Sequence, residues 1–258
     1  MLRLHRNSLA FAASLALLTA CNGGAAQEQA DVAEAQVAKP KLGLFTTLPI
    51  YWGEGGDIAS ILDAGAEPDW VRTELETKFE IVPLDTLEPE ELEGLDRVLL
   101  AQPRPLAPSE NVAFDEFLAS GGKAVIMADP MLTRHSEYAI GDRRRPQDVV
   151  LLSPIFDRLG VELLFDEEQV EGERILKQSG QSFPVNLSGR FEARDTGVDS
   201  RKCFALEDGL IAQCVNGKGE AYLYADAAVL DWEGAAKVPE GRRKALWSLL
   251  DPLAPPAS

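Results

Sequence analysis

The chain has 258 residues, 45% of them hydrophobic and 26% charged, and its 42 acidic against 25 basic residues give a formal net charge of -17. Such a length and composition can bury a full hydrophobic core, while a polyanion of this kind repels nucleic acid and anionic lipid headgroups, so neither is expected as a partner. Three cysteines and two histidines leave little for thiol or imidazole chemistry.

Arg3 and Arg6 precede an apolar run from Leu9 to Leu18, and small residues lead into Cys21. That is the layout of a secretory signal, here too short to span a bilayer. The tetrad Leu18-Thr19-Ala20-Cys21 resembles the bacterial lipobox, which implies cleavage before Cys21 and diacylation of its thiol. Two or three acyl chains, at about 0.8 kcal/mol per buried methylene, would make the anchor effectively permanent. The alternative is an ordinary cleaved signal with an incidental cysteine. Asn22 stands where an Asp would mark inner-membrane retention, so the expected location is the outer membrane, facing the periplasm. Residues 21–40 lack an apolar period, end in Lys39-Pro40 and read as a flexible tether. Residues 41–258 read as one α/β domain with a β-rich insertion at about 166–217.

Leu42 to Leu48 is a short apolar run suited to a strand buried on both faces. Asp69 can cap a helix whose Trp70, Leu75 and Phe79 share one side, and Glu80 to Leu84 and Arg97 to Ala101 follow as strands. Pro108 and Ser109 open a helix with an apolar face of Val112, Phe114, Phe117 and Leu118, stopped by Gly121-Gly122. Lys123 to Ala128 is a fourth strand, Ser153-Pro154 caps a helix ending at Gly160, and Val161 to Phe165 reads as a fifth strand. This alternation predicts right-handed parallel crossovers and a sheet covered by helices.

From Asp166 to Gly217 the period changes, with turn residues at Ser179-Gly180, Ser188-Gly189 and Asp208-Gly209, which predicts an antiparallel β insertion or extension. Asp-Gly is a strong hairpin signal. Cys203 and Cys214 lie symmetrically about it, so they should face each other and form a disulfide in an oxidising compartment; two buried free thiols in a slipped register are the alternative. Glu220 to Ala225 returns to a buried strand and Gly241 to Leu250 to a final helix.

In an open parallel sheet, ligands bind beyond the carboxyl ends of the strands. The candidate contacts there are Thr47 and Trp52 after the first strand, Gln102 and Arg104 after the third, Asp129 after the fourth, His135 in the next loop, and Asp226 after the late strand. Two carboxylates converging on one crevice could hold a hard cation or run hydrolysis, yet Asp at a strand-to-helix turn also caps helices. Neither metal nor cofactor is expected. Arg143, Arg144 and Arg145 form the one basic cluster, a contact for an anion or partner or else a solvated loop. Trp52-Gly-Glu-Gly-Gly56 matches neither the dinucleotide fingerprint nor the phosphate-binding loop and reads as a mobile loop. With His135 the sole histidine beyond the signal and no Gly-x-Ser-x-Gly or Gly-x-Cys-x-Gly elbow, nucleophilic catalysis is not expected.

The stretch Val98-Leu-Leu-Ala-Gln-Pro-Arg-Pro-Leu-Ala-Pro-Ser-Glu-Asn111, then Phe114-Asp-Glu-Phe117 and Gly121-Gly-Lys-Ala-Val-Ile-Met-Ala-Asp129-Pro130, resembles the periplasmic domain of uncharacterised ABC-type transport system proteins, the auxiliary component first associated with gliding motility. Gly217-Lys-Gly-Glu-Ala-Tyr-Leu-Tyr-Ala-Asp226 is similar to the late strand of that family. The likeness covers residues 41–165 and, more loosely, 217–250. It implies a flavodoxin-like sheet of the class I glutamine amidotransferase type. In amidotransferases the nucleophilic cysteine follows the strand matching Lys123 to Ala128, where this chain has Asp129, so the resemblance implies the fold without its catalytic machinery. The family's transporter proteins carry transmembrane helices, whereas no apolar run after Cys21 is long enough to cross a membrane. The expectation is a non-catalytic envelope lipoprotein that binds a protein partner or small ligand, an accessory of an ABC-type transport system. The alternative is a carboxylate- or metal-dependent hydrolase acting on envelope glycans or esters.

Overall fold

The computed structural model describes residues 38–53, 68–178, 180–232 and 237–254. The signal, Cys21, most of the tether and most of the glycine-rich segment lie outside them. Its strands are β1 (Lys41–Thr46), β2 (Glu80–Pro83), β3 (Arg97–Ala101), β4 (Lys123–Met127), β5 (Val161–Leu164), β6 (Arg174–Gln178), β7 (Gln181–Val185), β8 (Arg190–Ala193), β9 (Arg201–Leu206), β10 (Ile211–Asn216) and β11 (Gly219–Tyr224). The helices are α1 (Trp70–Lys78), α2 (Pro89–Leu92), α3 (Pro108–Ser120), α4 (Ser153–Leu159) and α5 (Glu240–Leu249). Among the described residues no helix is long and apolar enough to cross a membrane.

A seven-stranded sheet in the order β2-β1-β3-β4-β11-β10-β9 carries the molecule. The first five strands are parallel, and β10 and β9 extend them antiparallel. Alternation along β3 and β4 builds two cores, because successive side chains of a strand point to opposite faces. Val98, Leu100, Ala124 and Ile126 pack with Phe114 and Leu118 of α3 and Ile155 and Phe156 of α4. Leu99, Ala101, Val125 and Met127 pack with Val71 and Leu75 of α1 and Leu246 and Leu249 of α5. Each fully buried Leu or Ile contributes about 1.5–3 kcal/mol, which is why these strands read as continuous apolar runs.

Local chemistry sets the ends. The Asp69 carboxylate accepts the Val71 N–H at 2.7 Å, as expected. Gly160 closes α4 at φ 87, where a Cβ would sit 2.9 Å from the Arg194 carbonyl oxygen. Gly219 admits β11 beneath the end of α3, since a Cβ there would collide with the Leu118 and Gly122 carbonyl oxygens.

The hairpin follows the expected register: Cys203 pairs with Cys214, the two are joined by a disulfide, and Asp208 (φ 54) and Gly209 (φ 86) take the left-handed backbone of a tight turn. The ladder stops one rung short of it, at Leu206 and Ile211. Two expectations are corrected. Val161 to Leu164 does not join the parallel sheet; β5 pairs antiparallel with β8 in a separate ladder, because both edges of β4 are occupied by β3 and β11. Ser153 does not cap α4 but is its first residue, and no side chain caps that helix. The insertion therefore divides: β6 and β7 form their own ladder, β8 covers β5, and β9 and β10 enlarge the main sheet.

Candidate functional site: the carboxyl end of the sheet

Gln102, Asp129 and Asp226 follow β3, β4 and β11, so the parallel sheet delivers all three to one end. Gln102 is fully buried and holds a left-handed backbone at φ 43, a conformation costing a non-glycine residue about 1–2 kcal/mol. Its side chain repays that strain through a closed set of bonds. Oε1 accepts the Asp129 N–H at 2.8 Å, while Nε2 donates to the Asp129 carbonyl at 3.0 Å and the Gln147 carbonyl at 2.8 Å. Both amide protons are thus committed. Thr47 completes this clamp: its hydroxyl donates to the Gln102 carbonyl at 2.5 Å and accepts the Gln147 N–H at 2.9 Å.

Asp129 is 1% exposed and Asp226 6%. Asp129 accepts the Met131 N–H at 2.8 Å on Oδ1 and the Ala227 N–H at 3.2 Å on Oδ2. Asp226 accepts the Ala228 N–H at 2.5 Å on Oδ1 and the Asn186 N–H at 2.8 Å on Oδ2. Burial pushes the Asp129 carboxyl up to about 6, opposed by its two backbone donors and aided by the Asp231 charge. Burial, then the Asp129 charge, lifts Asp226 well above the usual carboxylate range. N–H groups on every oxygen are poor company for a cation, and the expected helix-capping role is not found either: no helix begins directly after Asp129, and the short turn after Asp226 has Ala227 at its cap without a side-chain bond, so both carboxylates brace loop backbone instead.

The remaining candidates do not join this network. Arg104 makes a bidentate pair with Glu110 (2.9 and 2.7 Å) and lies over the Phe45 ring. Arg144 pairs with Asp142 at 2.7 Å and covers the Tyr138 ring, and Arg145 binds Asp148 at 2.8 Å and the Tyr138 carbonyl at 2.9 Å. The arginine cluster is therefore largely neutralised by its own loop. Arg143 is exposed, the His135 side chain is 76% exposed 3.9 Å from Glu137, and Trp52 is 64% exposed with its ring edge-on to Tyr51. The left-handed backbone directly after a strand falls at Gln102.

Sequence reasoning missed two carboxylates that organise this part of the chain. Glu110 accepts the Ala107 N–H at 2.6 Å and the Leu87 N–H at 3.0 Å besides Arg104; Glu three residues into a Pro-led helix was the available signal. Asp115 on α3 gathers Arg158 at 2.9 Å, Arg201 at 2.7 Å and Asn216 at 2.9 Å, all from distant segments, and nothing local announces it.

These features define a doubly wound α/β protein whose ligand end is closed by its own backbone. No family model and no curated protein matches the chain. Among solved structures, a cytoplasmic protein of Salmonella typhimurium LT2 is similar with TM-score 0.50 and 12% identity, over 84% of this chain and 100% of that one. A ThuA-like protein from Bacteroides uniformis aligns with TM-score 0.39 and 10% identity, over 76% of this chain and 85% of that one. The exo-beta-1,4-mannosidase Op5Man5 from Opitutaceae bacterium strain TAV5 aligns with TM-score 0.43 and 14% identity over 76% of this chain, which spans only 32% of that enzyme. At such identities the Salmonella likeness speaks to fold alone, and the other two carry no argument.

Proposed function

We propose that this chain is a non-catalytic envelope lipoprotein, anchored through Cys21, whose amidotransferase-like domain binds a protein partner or small ligand as an accessory of an ABC-type transport system. One observation supports it above the others: Gln102, Asp129 and Asp226, the polar groups at the ligand end, are buried and already hydrogen-bonded to backbone. A carboxylate that substrate cannot reach, with both oxygens occupied, neither attacks nor relays a proton. The strand order β2-β1-β3-β4-β11 agrees with a flavodoxin-like sheet, the type to which the sequence resemblance points. The Cys203–Cys214 disulfide suits an oxidising compartment. Contacts with a partner then fall to surface groups such as Trp52, His135 and Arg143.

The hydrolase reading draws on Asp129, whose carboxyl sits near 6, the range of a general acid, close to a second carboxylate. It requires access that 1% and 6% exposure deny. Fractionation of cells producing the intact chain and a Cys21→Ser form tests the anchored reading. The intact protein should stay with outer membranes through a high-salt wash, and the variant should appear in the soluble periplasm; identical distribution of both forms would end it.

A further inference from the structure

The seven-stranded sheet ends at β9. Among the described residues β9 has one strand partner, β10. Lys202 is exposed, Phe204 is 58% exposed and Leu206 45%, all on one face, and Ala205 on the other face is exposed as well. The strand carries no proline, and Lys202 is its one charge facing outward with the apolar pair; natural edges are normally blunted more heavily than this.

The backbone of that edge is available for pairing. A Cα separation of 4.1 Å marks Cys203 and Cys214 as a non-hydrogen-bonded pair of the antiparallel ladder. The N–H and C=O of Cys203, and by alternation those of Ala205, therefore point away from β10. Arg201 points the same way but is already closed, its N–H bonded to the Val198 carbonyl at 3.0 Å and its carbonyl accepting the Thr196 hydroxyl at 3.4 Å.

The residues also say which strand fits. From Arg201 the chain runs Arg-Lys-Cys-Phe-Ala-Leu-Glu-Asp208, basic at its start, apolar in the middle and acidic at its end. Only an antiparallel copy of the same segment lays the basic end of one strand against the acidic end of the other. We propose that β9 is a homodimer edge, at which two copies of this chain pair antiparallel about a two-fold axis through Phe204 and join their sheets. In that register Cys203 and Ala205 of one copy exchange backbone hydrogen bonds with Ala205 and Cys203 of the other. Phe204 meets its own counterpart in the close, non-hydrogen-bonded position where aromatic pairs contribute most. Lys202 faces Leu206, and no like charges stand opposite one another. The contact is isologous, as a two-fold requires. It is also small, so the dimer is concentration-dependent rather than obligate. This inference is independent of the membrane anchor.

Sedimentation equilibrium of the full chain in detergent tests it, alongside Ala205→Pro, which removes an outward N–H, and Phe204→Lys, which sets two cations face to face. Circular dichroism and an intact Cys203–Cys214 bond verify that the variants fold. The wild-type chain should dimerise with rising concentration, and each variant should weaken self-association by about tenfold or more, equivalent to about 1.4 kcal/mol. A wild-type chain that stays monomeric, or variants that dimerise as it does, would overturn the proposal. So would a monomer whose β9 edge instead takes up an extended Val-Lys-Val-Lys peptide, which would assign the edge to another protein.

Discussion

The Glu110 carboxylate accepts from Nη1 and Nη2 of Arg104 and from two backbone N–H groups, and the arginine hydrogen bonds hold its carboxyl down at about 2. Because that value lies below the ordinary 4.5, the charge stabilises the fold at neutral pH and the benefit is withdrawn as pH falls from about 4.5 toward 2. Glu110→Gln should lose about 2 kcal/mol in urea denaturation at pH 7 and flatten the acid limb of the stability curve. Asp129 works in the opposite sense. Burial raises it from 3.8 to about 6, so the neutral form is favoured and the group's contribution, complete at low pH, is lost as pH rises through about 6. Between about pH 4 and pH 6, Asp129→Asn should remove a decline in urea midpoint that the wild-type chain shows. The positions of Asp129 and Asp226 were readable because each follows an apolar strand. Their closure was not, since the amides of Asn186 and Ala227 that fill them arrive from segments distant in sequence.

The strands of the parallel core were legible for a simple reason. Runs such as Val98 to Ala101 and Ala124 to Met127 are buried on both faces, and an apolar run this short, bounded by turn residues, suits a buried strand better than a helix. Val161 to Leu164 has a similar look but only Val161 is buried, and its exclusion from the sheet depends on β11, which comes later in the chain, taking the free edge of β4. The hairpin was set by local turn chemistry at Asp208-Gly209, which is why its register and its disulfide could be read. Replacing both Cys203 and Cys214 with Ala should cost about 3 kcal/mol, the loop-closure value for a separation of 11 residues, seen as a lower urea midpoint in the absence of reductant. Gly219→Ala should cost about 1–3 kcal/mol by thermal denaturation, because the added methyl meets rigid backbone carbonyls rather than a side chain that can move.

Two apolar cores flank one sheet, and the carboxyl end of that sheet, where doubly wound proteins take their ligands, is here filled by the chain itself. Gln102 ties β3 to β4, Asp129 ties β4 to the segment after β11, and Asp226 ties that segment to the insertion. An acid-base pair and a structural brace make the same demand on sequence, two acids after two strands, and differ only in what reaches their oxygens. The most direct measurement is turnover by the purified full chain on chromogenic glycosides and esters, at pH 5 to 7, beside Asp129→Asn and Asp226→Asn forms. A braced, non-catalytic end predicts no rate above the buffer blank for any of the three, with the substitutions lowering stability alone. A wild-type rate that either substitution abolishes in a folded protein would contradict it.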